Sequence, residues 1–310
     1  MTGKVFRYFL YGLFSLIGIA LLPVLVFWLT LQLSDTSNGR LVSSGENREY
    51  LLYVPQSYNP ESPVPLVVSI HGFSDWPAHH SRMTGWNKIA EEEGLIVVYP
   101  SGTGYPKRWR MPQYDGNEEG TMKDVLFISD LIDELQLKYN IDPSRVFVNG
   151  LSNGGGMSYV AGCFLSNRIA AVGGVAGYYN FPLENCTPER ALPTIAFHGT
   201  ADPIVSYYGN RTDTSDYTSP NVAEWIRSLA QLNGCSLEPA QLEAPELVSG
   251  IWYSGCNGNA DVKFYTIEGG GHTWPGGKPL PKWITGITYK DLPATRLIWE
   301  FYQQHPLPAQ

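Results

Sequence analysis

The sequence predicts an α/β fold, with a mainly parallel central sheet and helices on both faces. Two observations predict it. Short apolar, β-prone runs recur along the chain, and several are continuously apolar, as in strands covered on both faces. Segments of helical period lie between them, and strands alternating with helices imply βαβ units.

The strands are read in order as "EYLLYV" (49–54), "PLVVSI" (65–70), "LIVVYP" (95–100), "RVFVNG" (145–150), "AAVGGVAG" (170–177), "PTIAFHG" (193–199) and "DVKFYTIEG" (261–269). Each is bounded by turn residues. In "DVLFISDLIDELQLKYN" (124–140), Ile128, Leu131, Ile132, Leu135 and Tyr139 fall at helical spacing, with Asp and Glu turned outward. A helix is expected over 153–166. "SPNVAEWIRSLAQLNG" opens with a capping serine and a proline and stops at Gly234. "LPATRLIWEFYQQ" reads as a C-terminal helix.

The N-terminus differs in kind. Lys4 and Arg7 precede 27 residues without a charge, Tyr8 to Ser34. A bilayer span needs about 20 apolar residues. The run exceeds the roughly 7–15 residues of a signal-peptide core, and no small-residue cleavage site closes it. Residues 1–34 are therefore expected to be an uncleaved transmembrane anchor, with a cleaved signal peptide and secretion as the alternative. The flanking cations keep the N-terminus in the cytoplasm and place the rest outside it, periplasmic or extracellular. Residues 35–48 are polar and serine-rich and are expected to be a linker. Residues 49–310 show no repeat, no charge block and no second linker, and read as one domain.

Composition narrows the partners. Hydrophobic residues make up 43% and charged residues 16% of the chain, as in an ordinary globular core. Net charge is −8, and −10 over residues 35–310, which disfavours nucleic acid. Cys163, Cys186, Cys235 and Cys256 all lie in the exported part, where an even number suggests two disulfides. Three pairings are possible. The sequential one, Cys163–Cys186 and Cys235–Cys256, closes short loops and is favoured. Four free thiols are the alternative; a zinc site is disfavoured because no C-x-x-C or His-rich spacing accompanies them.

Chemistry in parallel sheets gathers at the carboxyl ends of strands. After "RVFVNG", Gly150-Leu151-Ser152-Asn153-Gly154 is G-x-S-x-G, preceded by a strand and followed by a helix. That context defines a nucleophile elbow. A serine needs a base, and in the α/β-hydrolase order an acid and then a histidine follow it. His198, His272 and His305 are the downstream histidines. His305 lies in the terminal tail and is expected to be solvated. His198 ends a strand and reads as structural. His272, in "GGGHTWPGG", follows the last core strand. Asp202 follows "PTIAFHG", whereas Asp213 and Asp216 lie in a polar loop and Asp261 precedes its strand. The expected triad is Ser152, Asp202 and His272. The backbone N–H groups of Phe73, after "PLVVSI", and of Asn153 are the expected oxyanion donors. His71 reads as a packed residue supporting that loop.

Aromatic residues crowd the neighbouring loops. Trp109, Tyr207 and Trp274 are candidate substrate contacts, since aromatic walls suit sugar rings and aromatic acyl groups. Only residues 178–193 separate two core strands where a lid domain would be inserted, so no large lid is expected.

"GLSNGGGMSYVAGC", "FHGTADPIVSYYG", "WIRSLAQLNGC" and "EGGGHTWPGG" resemble the poly(3-hydroxybutyrate) depolymerase and feruloyl esterase family, akin to carbohydrate esterase family 1, over residues 47–303. The resemblance implies an α/β-hydrolase fold and secreted serine esterases without a metal or other cofactor. It implies Ser152, Asp202 and His272 as the triad and Cys235–Cys256 as a pair. "TMKDVLFISDLIDEL" resembles the family's helix before the elbow, with Asp124 at its acidic start. The anchor departs from the pattern, since many relatives are freely secreted. The expected function is a membrane-tethered extracytoplasmic hydrolase of carboxylic esters, polysaccharide-linked or polyester. A serine peptidase and a catalytically inactive binding module are the alternatives.

Overall fold

The computed structural model describes residues 37–111, 118–209 and 220–308. Among them, ten strands form one sheet in the order β1-β2-β4-β3-β5-β6-β7-β10-β9-β8. The strands are β1 Gly39–Ser43, β2 Glu46–Tyr53, β3 Val64–Ile70, β4 Ile96–Pro100, β5 Ile141–Leu151, β6 Ala171–Val175, β7 Thr194–Gly199, β8 Ala240–Leu242, β9 Val248–Tyr253 and β10 Val262–Ile267. The six inner strands, β4 to β10 in that order, are parallel. An antiparallel pair closes each edge.

The helices are α1 Pro77–Thr84, α2 Trp86–Glu93, α3 Glu118–Lys138, α4 Asn153–Phe164, α5 Val222–Leu232, α6 Lys282–Thr285 and α7 Ala294–Gln303. Two apolar layers sandwich the sheet. Successive strand residues alternate between them: Leu66, Val68 and Ile70 join one layer, with α3, α4 and α5, while Val67 joins the other, with α2 and α7. That double burial is why the inner strands read as unbroken apolar runs.

Helix α5 carries Val222, Trp225, Ile226 and Leu229 on its buried face. Its cap is Asn221, whose side chain accepts the Glu224 N–H at 3.1 Å, a contact of about 1 kcal/mol. The expected start at Ser219 falls outside the described residues.

The stretch expected to be linker through residue 48 instead forms β1 and the start of β2. Ser44 and Gly45 have φ of 49° and 76°, as a two-residue hairpin turn of the primed type requires. Asn38 extends the pairing by exchanging two side-chain hydrogen bonds with Leu52. The expected anchor over residues 1–34 lies outside the described residues; among those described, no helix is long and apolar enough to cross a membrane. The chain from Ser37 onward forms one compact unit. The cysteines pair sequentially, Cys163–Cys186 and Cys235–Cys256, each worth roughly 3 kcal/mol by loop closure. The β6–β7 connection holds one 3-10 turn, Leu183–Asn185, and no lid domain.

From β3 the chain passes through α1 and α2 to β4 on one side, then returns through α3 to β5 on the other. The carboxyl ends of β3 and β5 therefore form the switch point, where open α/β sheets bind ligands.

Candidate active site

The β5–α4 turn presents Ser152 with φ 57° and ψ −123°. A non-glycine residue held there is strained by roughly 1–3 kcal/mol. The surrounding bonds hold it: Ser152 N–H donates to the Val175 carbonyl at 2.9 Å, and its own carbonyl accepts the N–H groups of Gly156 and Tyr178, both at 3.0 Å. Gly154 has to be glycine, because a Cβ there would sit 2.3 Å from the carbonyl oxygens of Ile70 and His71. The end of β3 thus packs directly on the elbow. A Cβ on Gly72 would lie 3.4 Å from the Ser152 Cβ, which places the loop carrying Phe73 beside the serine.

Two strands away, the turn after β7 supplies Asp202 and the turn after β10 supplies His272. His272 Nδ1 donates to Asp202 Oδ2 at 2.8 Å. Asp202 Oδ1 accepts the N–H groups of Ile204 and Val205, at 2.9 and 2.8 Å. Burial by itself raises the Asp202 pKa, but hydrogen bonding and charge from His198 and His272 outweigh it and hold the carboxyl well below the usual carboxylate range. His198 Nε2 donates to the Val205 carbonyl at 2.9 Å and lies 3.4 Å from Asp202 Oδ2. It braces the acid loop, as a structural residue does.

The histidine loop is pinned through its backbone. His272 N–H donates to the Thr285 carbonyl at 2.6 Å, and Gly271 N–H to the Ile287 carbonyl at 2.9 Å. A Cβ on Gly271 would come within 2.1 Å of the Thr285 carbonyl. Close approach of α6 explains Gly271, while Gly269 and Gly276 have the positive φ, 67° and 74°, that favours glycine. Ser152, Asp202 and His272 all stand at carboxyl ends of parallel strands, those of Asp202 and His272 adjacent and that of Ser152 one strand removed. Asp202 and His272 are joined; no hydrogen bond joins Ser152 Oγ to His272, a contact that often tightens only when substrate binds.

The sequence-predicted oxyanion donors flank the serine. Asn153 opens α4, whose first N–H groups have no intrahelical acceptor. Phe73 lies in the Gly72–Ser74 turn and is 43% exposed. His71 is buried and holds that turn, donating from Nδ1 to the Gly72 carbonyl at 2.7 Å.

Three expectations are corrected. Trp109 and Trp274 are fully buried and present no face to a substrate. Each indole N–H has an internal acceptor, the His71 carbonyl for Trp109 and Thr295 Oγ1 for Trp274. His305 is not solvated: it is 3% exposed, packs tilted against the Phe301 ring, and donates from Nδ1 to the Phe301 carbonyl. Tyr207 stays half-buried, its hydroxyl 3.2 Å from Thr266 Oγ1. Trp283, the other aromatic that the sequence places beside the histidine loop, lies on α6 and is 86% exposed. Asp213 and Asp216 lie outside the described residues. Among the described residues no group of His, Cys, Asp and Glu could hold a metal ion.

Sequence reasoning missed the ion network beside the elbow. Asp124 Oδ1 accepts Arg48 Nη1 at 2.7 Å and Arg110 Nη2 at 2.8 Å, and Arg110 also pairs with Glu46. Asp124 at the acidic start of its helix was the one member singled out in the sequence; its partners Glu46, Arg48 and Arg110 lie in polar stretches and gave no local signal.

The model of the Esterase family, described as putative esterase, matches residues 42–218. Over 172 residues the chain is 33% identical to the bifunctional acetylxylan esterase/xylanase XynS20E of Neocallimastix patriciarum, covering 56% of this chain and 24% of that protein. Over 275 residues it is 28% identical to feruloyl esterase B of Piromyces equi, covering 84% of this chain and 46% of that protein. The chain thus spans less than half the length of these two relatives. The solved structure of the acetyl xylan esterase from Aspergillus awamori superposes with a TM-score of 0.56 at 19% identity, over 76% of this chain and 93% of that one. The expected α/β-hydrolase fold is borne out.

Proposed function

The chain belongs to this esterase family, and we propose that it is an extracytoplasmic serine esterase acting through Ser152, His272 and Asp202. One observation carries the reading: the 2.8 Å bond from His272 Nδ1 to a buried carboxylate, on the same sheet end as a strained serine elbow. With Nδ1 donating to Asp202, Nε2 is the basic nitrogen. Nε2 takes the Ser152 proton as Oγ attacks the ester carbonyl. The resulting oxyanion receives the N–H groups of Asn153 and Phe73. The imidazolium, stabilised by Asp202, returns its proton to the departing alcohol and leaves an acyl-serine. Water, deprotonated by His272, then releases the carboxylic acid and restores the serine. No step needs a cofactor.

The substrates proposed are acetyl or feruloyl esters carried on polysaccharide, or hydroxyalkanoate esters. The relatives' names and the quoted motifs support these classes, and a β6–β7 connection without a lid domain leaves room for a polymer. Tethering through residues 1–34 is supported by the charge-free run behind Lys4 and Arg7. Two disulfides support an oxidising compartment.

The test is turnover of p-nitrophenyl acetate, methyl ferulate and a peptide p-nitroanilide by the purified chain and its Ser152→Ala variant. Ester turnover lost in the variant is the expected result. Turnover of the anilide alone would indicate a peptidase, and turnover of none a binding module.

A further inference from the structure

The loop between β4 and α3 holds Trp109 fully buried, and that one residue bonds to the end of the β3 strand and to the first residue of α4, next to Ser152. On the β3 side, Trp109 Nε1 donates to the His71 carbonyl at 2.9 Å. On the β5 side, its backbone N–H donates to Asn153 Oδ1 at 2.7 Å, and its carbonyl accepts Asn153 Nδ2 at 3.1 Å. The same loop grips His71 a second time: Gly102 N–H donates to His71 Nε2 at 2.9 Å. That bond makes Nε2 the acceptor, so Nδ1 carries the proton it donates to Gly72. The loop is fixed from behind, where Arg110 N–H donates to Asp124 Oδ2 at 2.8 Å.

We propose that Trp109 is a positioning residue for the oxyanion hole: it sets the distance between the Phe73 turn and the first turn of α4. The proposal rests on the esterase reading above. The two halves of the hole come from different strands, and Trp109 bonds to each through a different group, indole to one and peptide to the other. Donors must lie within about 2.7–3.1 Å of the oxyanion, not of the ground-state carbonyl. A misplacement of about 1 Å can cost roughly 10²-fold in rate. Direct contact with substrate needs an exposed face, and Trp109 has none. Its ring stacks on Phe127, centroids 6.4 Å apart, with the His71 ring 5.4 Å away. What passes along this loop is therefore geometry, and it acts in the transition state.

Trp109→Phe in the full chain keeps a stacked ring and removes the indole N–H. The expected result is a fall in kcat on p-nitrophenyl acetate of about 10–100-fold, with KM nearly unchanged. Affinity for a phenylboronic acid, which forms a tetrahedral adduct on a nucleophilic serine, falls in parallel with kcat. Asn153→Ala removes the other grip and keeps the backbone N–H of residue 153; it shows the same split, and decides the matter alone should Trp109→Phe fail to fold. A wild-type kcat in a variant of lowered Tm makes Trp109 merely structural and overturns the proposal. So does a raised KM at unchanged kcat. The esterase reading is scored separately: turnover that survives Ser152→Ala overturns both, whereas Ser152-dependent turnover with a wild-type kcat in the Trp109 variant overturns this inference only.

Discussion

Asp202 gives one oxygen to His272 and the other to its own loop. Oδ2 accepts His272 Nδ1 at 2.8 Å while Oδ1 accepts the N–H groups of Ile204 and Val205. The carboxylate is thereby fixed in direction, and it fixes the imidazole with Nε2 unprotonated. Asp202→Asn keeps the shape but can put an amide N–H toward Nδ1, which then carries no proton. Steady-state kinetics should show kcat reduced on the order of 10⁴-fold with KM little altered. A loss below tenfold would separate Asp202 from the reaction.

His80 predicts a pH dependence of stability. It is fully buried, its Nε2 donating to Ser69 Oγ at 3.1 Å while that hydroxyl donates to Asn149 Oδ1. Burial lowers its pKa from 6.5 to about 3; Asp75, its Oδ2 3.8 Å from His80 Nδ1, opposes the shift, and His71 and His79 add to it. Between those two values the unfolded chain takes a proton that the folded chain refuses. Stability from this group is thus complete above about pH 6.5 and lost as pH falls toward 3, by roughly 2–3 kcal/mol at pH 4.5. Tm measured from pH 7 to 4.5 should fall more steeply for wild type than for His80→Gln, whose amide can still donate to Ser69. Parallel curves would contradict the assignment.

Asp124 neutralises a guanidinium that has almost no solvent. Arg48 is buried, its guanidinium carbon 3.9 Å over the Phe127 ring, and Asp124 is its nearest anion. Asp124→Ala should cost about 3–5 kcal/mol, because it leaves that cation uncompensated. The double variant Arg48→Met/Asp124→Leu should recover most of the loss. Urea unfolding of the three proteins measures both effects. A loss under 1 kcal/mol in the single variant would show that Glu46, 4.0 Å from Arg48 Nη1, compensates instead.

Much of the site was legible because its parts obey short-range rules. G-x-S-x-G between a strand and a helix identifies an elbow, and Asp202 and His272 follow strands whose apolar runs come from burial on both faces. The failures share a different cause. Trp109 and Trp274 sit among glycine, proline and arginine, a composition that reads as exposed loop, yet distant residues bury them and accept their indole N–H groups. β1 was hidden because edge strands face water and lack an apolar run; Arg40 and Val42 point outward from it. His305 looked like a tail residue, but it packs against Phe301 with Asp261 Oδ2 3.9 Å from its Nε2. Tertiary contact decided these positions, and no local pattern carries it.

Covalent labelling of Ser152 tests the central claim most directly. Treating the purified chain with diethyl p-nitrophenyl phosphate and mapping the adduct by mass spectrometry should place one diethyl phosphoryl group on Ser152. Labelling should be strongly slowed in His272→Ala, as expected of a serine that depends on that base. Stoichiometric labelling elsewhere, or ester hydrolysis that continues after Ser152 is fully modified, would contradict the account.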